Sequence, residues 1–306
     1  MSIIRKIGGL INMFIKKGYW YRHDIFQDCE KFLGYQKFNM DVVNLGSTSG
    51  LNAFDYEDLS LNCTNWAMTG KSLLGDLAIL NNYISYVKPH DGVVIIPLCP
   101  FSSLAGRYMT LDSRFYTLLH PNSIPNFSYY EQQKVKKMMQ RPISFYPMIA
   151  IITDFMHWIK KGKTSCVMSE EEMKEDAEKR MNNWMAEFSI TDFQAPLSLV
   201  NQDGIIDASR LLNEIIGTCK SHDLRPVVLI PPVYHTLAEE FNREIRSFVI
   251  DSLVDRIEDK SIWFYNYMDD TQFVNDRSLF ENSFLLNKKG AGLFTQRVLT
   301  DIKVLN

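Results

Sequence analysis

Asp41-Val-Val-Asn-Leu-Gly-Ser-Thr-Ser-Gly50 decides the fold of this chain. A short apolar run meets a glycine, then three small hydroxyl residues and a second glycine. That pattern suits a buried strand running into a tight turn. Downstream, Leu61 to Ala67 is a weaker strand candidate. Leu73 to Val87 places Leu73, Leu77, Leu80, Ile84 and Val87 at helical spacing and stops before Pro89. Gly92-Val-Val-Ile-Ile96 is the clearest strand, rich in β-branched residues and closed by Pro97.

The same alternation returns near the C-terminus. Asp207 to Cys219 reads as an amphipathic helix, Pro226-Val-Val-Leu-Ile230 as a strand, and Leu237 to Ile257 as one long helix. Ile262 to Tyr265 is a short strand and Lys288 to Ile302 a closing helix. Strands separated by helices need crossover connections, which predicts a mainly parallel sheet covered on both faces. Between the two halves, residues 101–200 mix aromatics, methionines and prolines without strand alternation. Inside this block Ser169 and Glu172 form a capping box that opens a charged helix through about Phe188. The prediction is one α/β domain over residues 1–306, a three-layer α/β/α sandwich. It carries an N-terminal helical extension over 1–35 and a mostly helical insertion over about 101–200, across one edge of the sheet.

Composition narrows the function classes. The chain has 306 residues, 46% hydrophobic and 23% charged, with net charge −3. That is ordinary globular composition, and it does not suit a general nucleic-acid binder. The five cysteines, Cys29, Cys63, Cys99, Cys166 and Cys219, are dispersed without CxxC pairing. They read as reduced thiols of a cytoplasmic protein. The six histidines are scattered too, so no metal and no cofactor is expected. At the N-terminus, Ile3, Ile4, Ile7, Leu10, Ile11, Phe14 and Ile15 lie among Arg5, Lys6, Lys16 and Lys17. The run is too short to span a bilayer, and no small-residue cleavage site follows. Two readings stay open: a basic amphipathic helix in weak, peripheral contact with a membrane surface, or a terminal helix packed on the domain.

In open parallel sheets the ligand crevice lies at the carboxyl ends of the strands. Gly46-Ser-Thr-Ser-Gly50, Pro97-Leu-Cys-Pro100 and Pro231-Pro-Val-Tyr-His235 should converge there. Gly46 permits the turn, Ser47, Thr48 and Ser49 supply hydroxyls, and nearby backbone amides suit an oxyanion. Small hydroxyl residues at strand ends also serve as plain turns and helix caps. A third reading has the backbone amides of Gly46 to Gly50 cradle a phosphate, but the lysine and spacing of a P-loop are missing and no Gly-x-Gly-x-x-Gly is present.

Val43-Asn-Leu-Gly-Ser-Thr-Ser-Gly50, Phe54-Asp-Tyr56, Asn65-Trp-Ala67 and Ser72-Leu73 together resemble the N-terminal block of SGNH/GDSL hydrolases. The branch is the one associated with surface-polysaccharide and teichoic-acid modification, which includes the D-alanyl transfer protein. Asn275 to Thr295 resembles that branch's closing block. The resemblance implies a flavodoxin-like sheet and a nucleophile at the third residue of the Gly-x-Ser turn, here Thr48 after Ser47. It places the family aspartate at Asn282, the histidine at Leu285 and a second oxyanion donor near Gly70. The family's Gly-x-Asn-Asp block is replaced by Pro97-Leu-Cys-Pro100.

These replacements matter chemically. A hydroxyl is a weak nucleophile until a base takes its proton, and losing the base removes roughly 10²–10⁴-fold of rate. Leu285 accepts no proton, and Asn282 stabilises no imidazolium as a carboxylate would. His235, Asp276 and Glu281 are the alternative bases. The expectation is therefore an atypical or inactive SGNH-like protein of surface-glycan biosynthesis. Its partner would be a carbohydrate or acyl-bearing small molecule, or a glycan-assembly protein. The alternative is an active carbohydrate O-acyl esterase or acyltransferase using Ser47 or Thr48.

Overall fold

The computed structural model describes residues 2–32, 38–160 and 167–305. Its centre is a five-stranded, all-parallel sheet of order β2-β1-β3-β4-β5. The strands are β1 (Val42–Asn44), β2 (Cys63–Asn65), β3 (Val93–Pro97), β4 (Arg225–Ile230) and β5 (Phe264–Asn266). The predicted α/β class and flavodoxin-like strand order are both present. Every residue of β1 and β3 is buried, as is β4 beyond Arg225, which is why these strands read as continuous apolar runs. In register, Asn44 stands opposite Asn65 on one side and Ile95 on the other. The strand order reverses direction at the β1–β3 pair, so the crevice rule points to the loops after these two strands.

The principal helices are α1 (Ser2–Ile15), α2 (Thr48–Ala53), α3 (Leu73–Tyr83), α4 (Tyr129–Gln140), α5 (Met148–Lys160), α6 (Glu170–Glu187), α7 (Leu199–Ser221) and α8 (Lys288–Asp301). Backbone contacts divide the chain into two compact units. One comprises residues 1–36 and 110–166, the other residues 37–109 and 167–306. The sheet lies wholly in the second. On one face of it Val42, Val93, Ile95, Val227 and Leu229 form a core with Phe54, Phe294, Val298 and Leu299. Side chains alternate along strands, so Val43, Val94, Ile96 and Val228 face the opposite layer. There α7 packs on β4 and on α3.

Helix boundaries are where expectation and structure part. The single helix expected over 237–257 is broken into His235–Ala238, Arg243–Arg246, a wide turn over Ser247–Asp251, and Ser252–Val254. Asn242 caps a fresh start by accepting the Ile245 N–H at 2.9 Å. The apolar spacing runs on through the break because Leu237, Phe241, Val249, Ile250, Leu253 and Ile257 are all buried. That continuity makes separate turns look like one helix. Conversely, α7 begins earlier than expected, at Leu199, where Ser198 caps it through the Asn201 N–H. The capping box of Ser169 and Glu172 forms as expected. Among the described residues, no helix is long and apolar enough to cross a membrane.

Candidate functional site

The turn after β1 is held by backbone geometry and by buried polar groups. Gly46 adopts φ +107°, where a Cβ would sit 3.2 Å from the Pro97 carbonyl oxygen. Only glycine lets the end of β1 lie this close to the end of β3. The Gly46 N–H donates to Oδ1 of Asp76 at 2.7 Å, and the Lys71 ammonium reaches the same oxygen at 2.8 Å. These two side chains are 4% and 0% exposed, so the ion pair is shielded from water. Lys71 also donates to the Trp66 carbonyl.

Two amides brace the other side of the turn. Asn44, fully buried, donates to the carbonyls of Leu45 and Gly50 and to Oδ1 of Asn65. The Tyr56 hydroxyl donates to Asn44 Oδ1 at 3.1 Å. Asn65 in turn donates to the carbonyls of Gly50, Leu51 and Phe54, closing α2 from below. Asn44, Tyr56 and Asn65 belong to the stretches that carry the family resemblance. Here their side chains support the turn.

The Ser47 and Ser49 hydroxyls sit beside Cys99. Ser47 is the N-cap of α2 and accepts the Thr48 N–H at 2.6 Å. Thr48 Oγ1 receives the Gly70 N–H at 3.4 Å, with Gly70 in the left-handed region. Ser49 Oγ lies 3.6 Å from Cys99 Sγ. Burial pushes the Cys99 thiol up to about 11, against hydrogen bonding with Ser49, the Arg180 charge and hydrogen bonding with Ser47. The thiol is thus neutral near pH 7. Its own N–H donates to Ser102 Oγ.

The closing block forms a compact turn. Asn282 Oδ1 accepts the N–H groups of Phe284 and Leu285 at 3.0 and 2.9 Å, and Glu281 N–H donates back to the Leu285 carbonyl. The neighbouring Ser283 hydroxyl donates to Asp176 on α6 at 2.5 Å. Arg180, one turn further along α6, pairs with Asp176 and lies over the Phe284 ring at 4.9 Å. The Arg180 charge also favours the thiolate of Cys99, against the larger effect of burial.

The residues singled out from sequence therefore fall into separate groups. Gly46, Ser47, Thr48 and Ser49 share one turn, with Ser47 and Ser49 beside Cys99 and Gly70 against Thr48. Asn282 and Leu285 form the closing turn. His235 is drawn into a carboxylate cluster, with Nε2 2.8 Å from Glu170 and Nδ1 3.3 Å from Glu239. The Tyr234 hydroxyl donates to the same Glu170 at 2.6 Å, and burial followed by that bond raises it to about 12. Asp276 is occupied by its own turn, accepting the Ser278 N–H and hydroxyl. Among the described residues, the Ser47 and Thr48 hydroxyls meet backbone amides and Cys99, and no hydrogen bond joins them to a histidine or carboxylate. No cluster of three or more metal-ligating side chains occurs among the described residues.

Sequence reasoning brought Asn44 and the loop of Cys99 to the site without giving either a role, and it missed Lys71, Asp76 and Arg180. Asp76 did leave a signal, as a lone carboxylate within the apolar run Leu73-Leu-Gly-Asp-Leu-Ala-Ile-Leu80. The others are defined by what they touch. Neither a scan against family models nor a search of curated proteins matched this chain. What the fold defines is an α/β protein with a five-stranded parallel sheet and a hydroxyl-lined turn at its switch point.

Proposed function

We propose that the chain is an SGNH-hydrolase-like protein of surface-glycan modification whose crevice binds an acyl-bearing carbohydrate without turning it over. One observation carries this reading: the two positions that would supply the base are occupied by groups with other work. Asn282 uses its side-chain oxygen to close its own turn, and Leu285 has no proton acceptor. Ser47 and Thr48 keep the place of a nucleophile, and Gly70 N–H points at Thr48. Without a base neither hydroxyl is activated. His235 is held between Glu170 and Glu239, and the Cys99 thiol stays protonated near pH 7.

The test is hydrolysis of a small aryl acetate by the full chain beside Ser47→Ala and Thr48→Ala. The expected result is no difference among the three. A rate at least about tenfold above both variants overturns the proposal in favour of an O-acyl esterase, since that factor lies below what one general base contributes. Calorimetry with O-acetylated and de-acetylated oligosaccharides supplies the second arm. Preference for the acetylated form, lost in Thr48→Arg, is expected; absence of binding to both forms overturns it.

A further inference from the structure

The unit of residues 1–36 and 110–166 has a helix turned inside out. Along α5, Ala150, Asp154 and His157 fall on one face, and that face is the one its own unit holds. Asp154 accepts the Trp20 N–H at 2.8 Å and the Tyr146 hydroxyl at 2.6 Å, while the His157 ring stacks on Tyr19 at 3.5 Å. The Asp154 carboxylate also fills the space above Gly18, where any side chain would collide with it. The apolar residues point the other way. Ile149, Ile152, Phe155, Met156, Trp158 and Ile159 are between 46% and 72% exposed. On α1, Leu10 and Phe14 are 61% and 78% exposed, and the two helices meet where Ile15, Trp20 and Ala150 pack together. A helix that turns its half-buried carboxylate toward its own unit and presents a tryptophan outward is built for surroundings less polar than water.

Charge identifies those surroundings. This unit carries fourteen lysines and arginines against six aspartates and glutamates, a formal +8, whereas the sheet unit carries nineteen against thirty, −11. The overall −3 conceals this division. Across α1 and α5 the only carboxylate is Asp154, which is engaged inward, while Lys16 and Lys17 are exposed directly after Ile15, the last residue of α1. With 13 residues, α5 is about 20 Å long against a hydrocarbon core of about 30 Å, so it lies along a bilayer rather than through it. We propose that this unit is a membrane-surface module, laying the apolar residues of α1 and α5 into the headgroup boundary of an anionic bilayer. The proposal is independent of the crevice's chemistry.

The test is co-sedimentation of the full chain with phosphatidylcholine vesicles, with and without roughly 30% phosphatidylglycerol, at about 0.05 and 0.5 M salt. Binding to the anionic vesicles, weakened at high salt, is expected. A Phe155→Asp/Trp158→Asp variant, checked for folding by its melting curve, should lose at least about tenfold of it. Lys16→Glu/Lys17→Glu should lose the preference for anionic lipid. Failure of the wild-type chain to sediment with anionic vesicles overturns the proposal, whatever the variants do. So does a wild-type dimer that Phe155→Asp/Trp158→Asp makes monomeric without any vesicle binding, since a second copy would then cover the face.

Discussion

The carboxylate of Asp76 accepts the Gly46 N–H at 2.7 Å, joining the first turn of α3 to the end of β1. The same oxygen holds the Lys71 ammonium, so one atom anchors both the turn and a buried cation. Asp76→Ala should therefore cost about 3–5 kcal/mol in urea unfolding, because Lys71 would stay buried without its counter-charge. Asp76→Leu combined with Lys71→Met should recover more than half of that loss. The remaining deficit reflects the Gly46 N–H, an orphaned donor worth about 1–3 kcal/mol. A double variant no more stable than the single one would show that the ion pair is not the source.

Gly46→Ala tests the turn itself. At φ +107° an alanine is strained, and its Cβ would press on the Pro97 carbonyl at 3.2 Å. A loss of about 1–3 kcal/mol is expected, measured by the same unfolding curves. Gly292→Ala is the control, since nothing lies within 4 Å of its Cβ position. It should stay within about 0.5 kcal/mol of the wild type, or rise slightly as a helix position.

Asn282→Asp should be tolerated to within about 0.5 kcal/mol, because a carboxylate accepts the Phe284 and Leu285 N–H groups equally well. Asn282→Ala removes that acceptor and should cost about 1 kcal/mol. Adding Thr48→Ser and Leu285→His to Asn282→Asp should leave the melting transition cooperative. Collapse of the triple variant would mean that the closing block is placed in the wrong register against the family.

Alkaline pH should unfold this protein early. Burial raises the thiols of Cys29 and Cys219 to about 12 and that of Cys99 to about 11, from an ordinary 9.0. Each folded value exceeds its unfolded one, so the stabilisation is complete below pH 9 and is lost as pH rises toward 11–12. The slope is up to about 1.4 kcal/mol per pH unit for each thiol. Cys219→Ala should lower the slope between pH 9 and 11 by one thiol's share, read from denaturant titrations at stepped pH. An unchanged slope would exclude Cys219 as a contributor.

Sheet and turn were legible for a physical reason. Strands buried on both faces must be continuously apolar, and Val42-Val43 and Val93-Val-Ile-Ile96 show this without reference to anything else in the chain. The turn after Asn44 needed a residue free to take positive φ, and Gly46 announces it. The capping box of α6 is likewise local, set by Ser169 and Glu172 three residues apart. Such features depend on near neighbours, so a linear reading reaches them.

The break at Asn242 escaped because burial continued across it, and periodicity reports burial rather than backbone hydrogen bonding. His235 illustrates the same limit at the site. Its position after β4 made it a candidate base, yet what it meets is Glu170, sixty-five residues earlier in the chain. Sequence alone determined the parallel sheet, its switch-point turn and the hydroxyls upon it, since these follow from local burial and backbone freedom. Only the tertiary structure decided that Asp76 occupies the Gly46 amide, that Cys99 sits among the serines, and that α5 faces outward. Those outcomes depend on which distant side chains meet, and meetings across tens of residues leave no periodic trace.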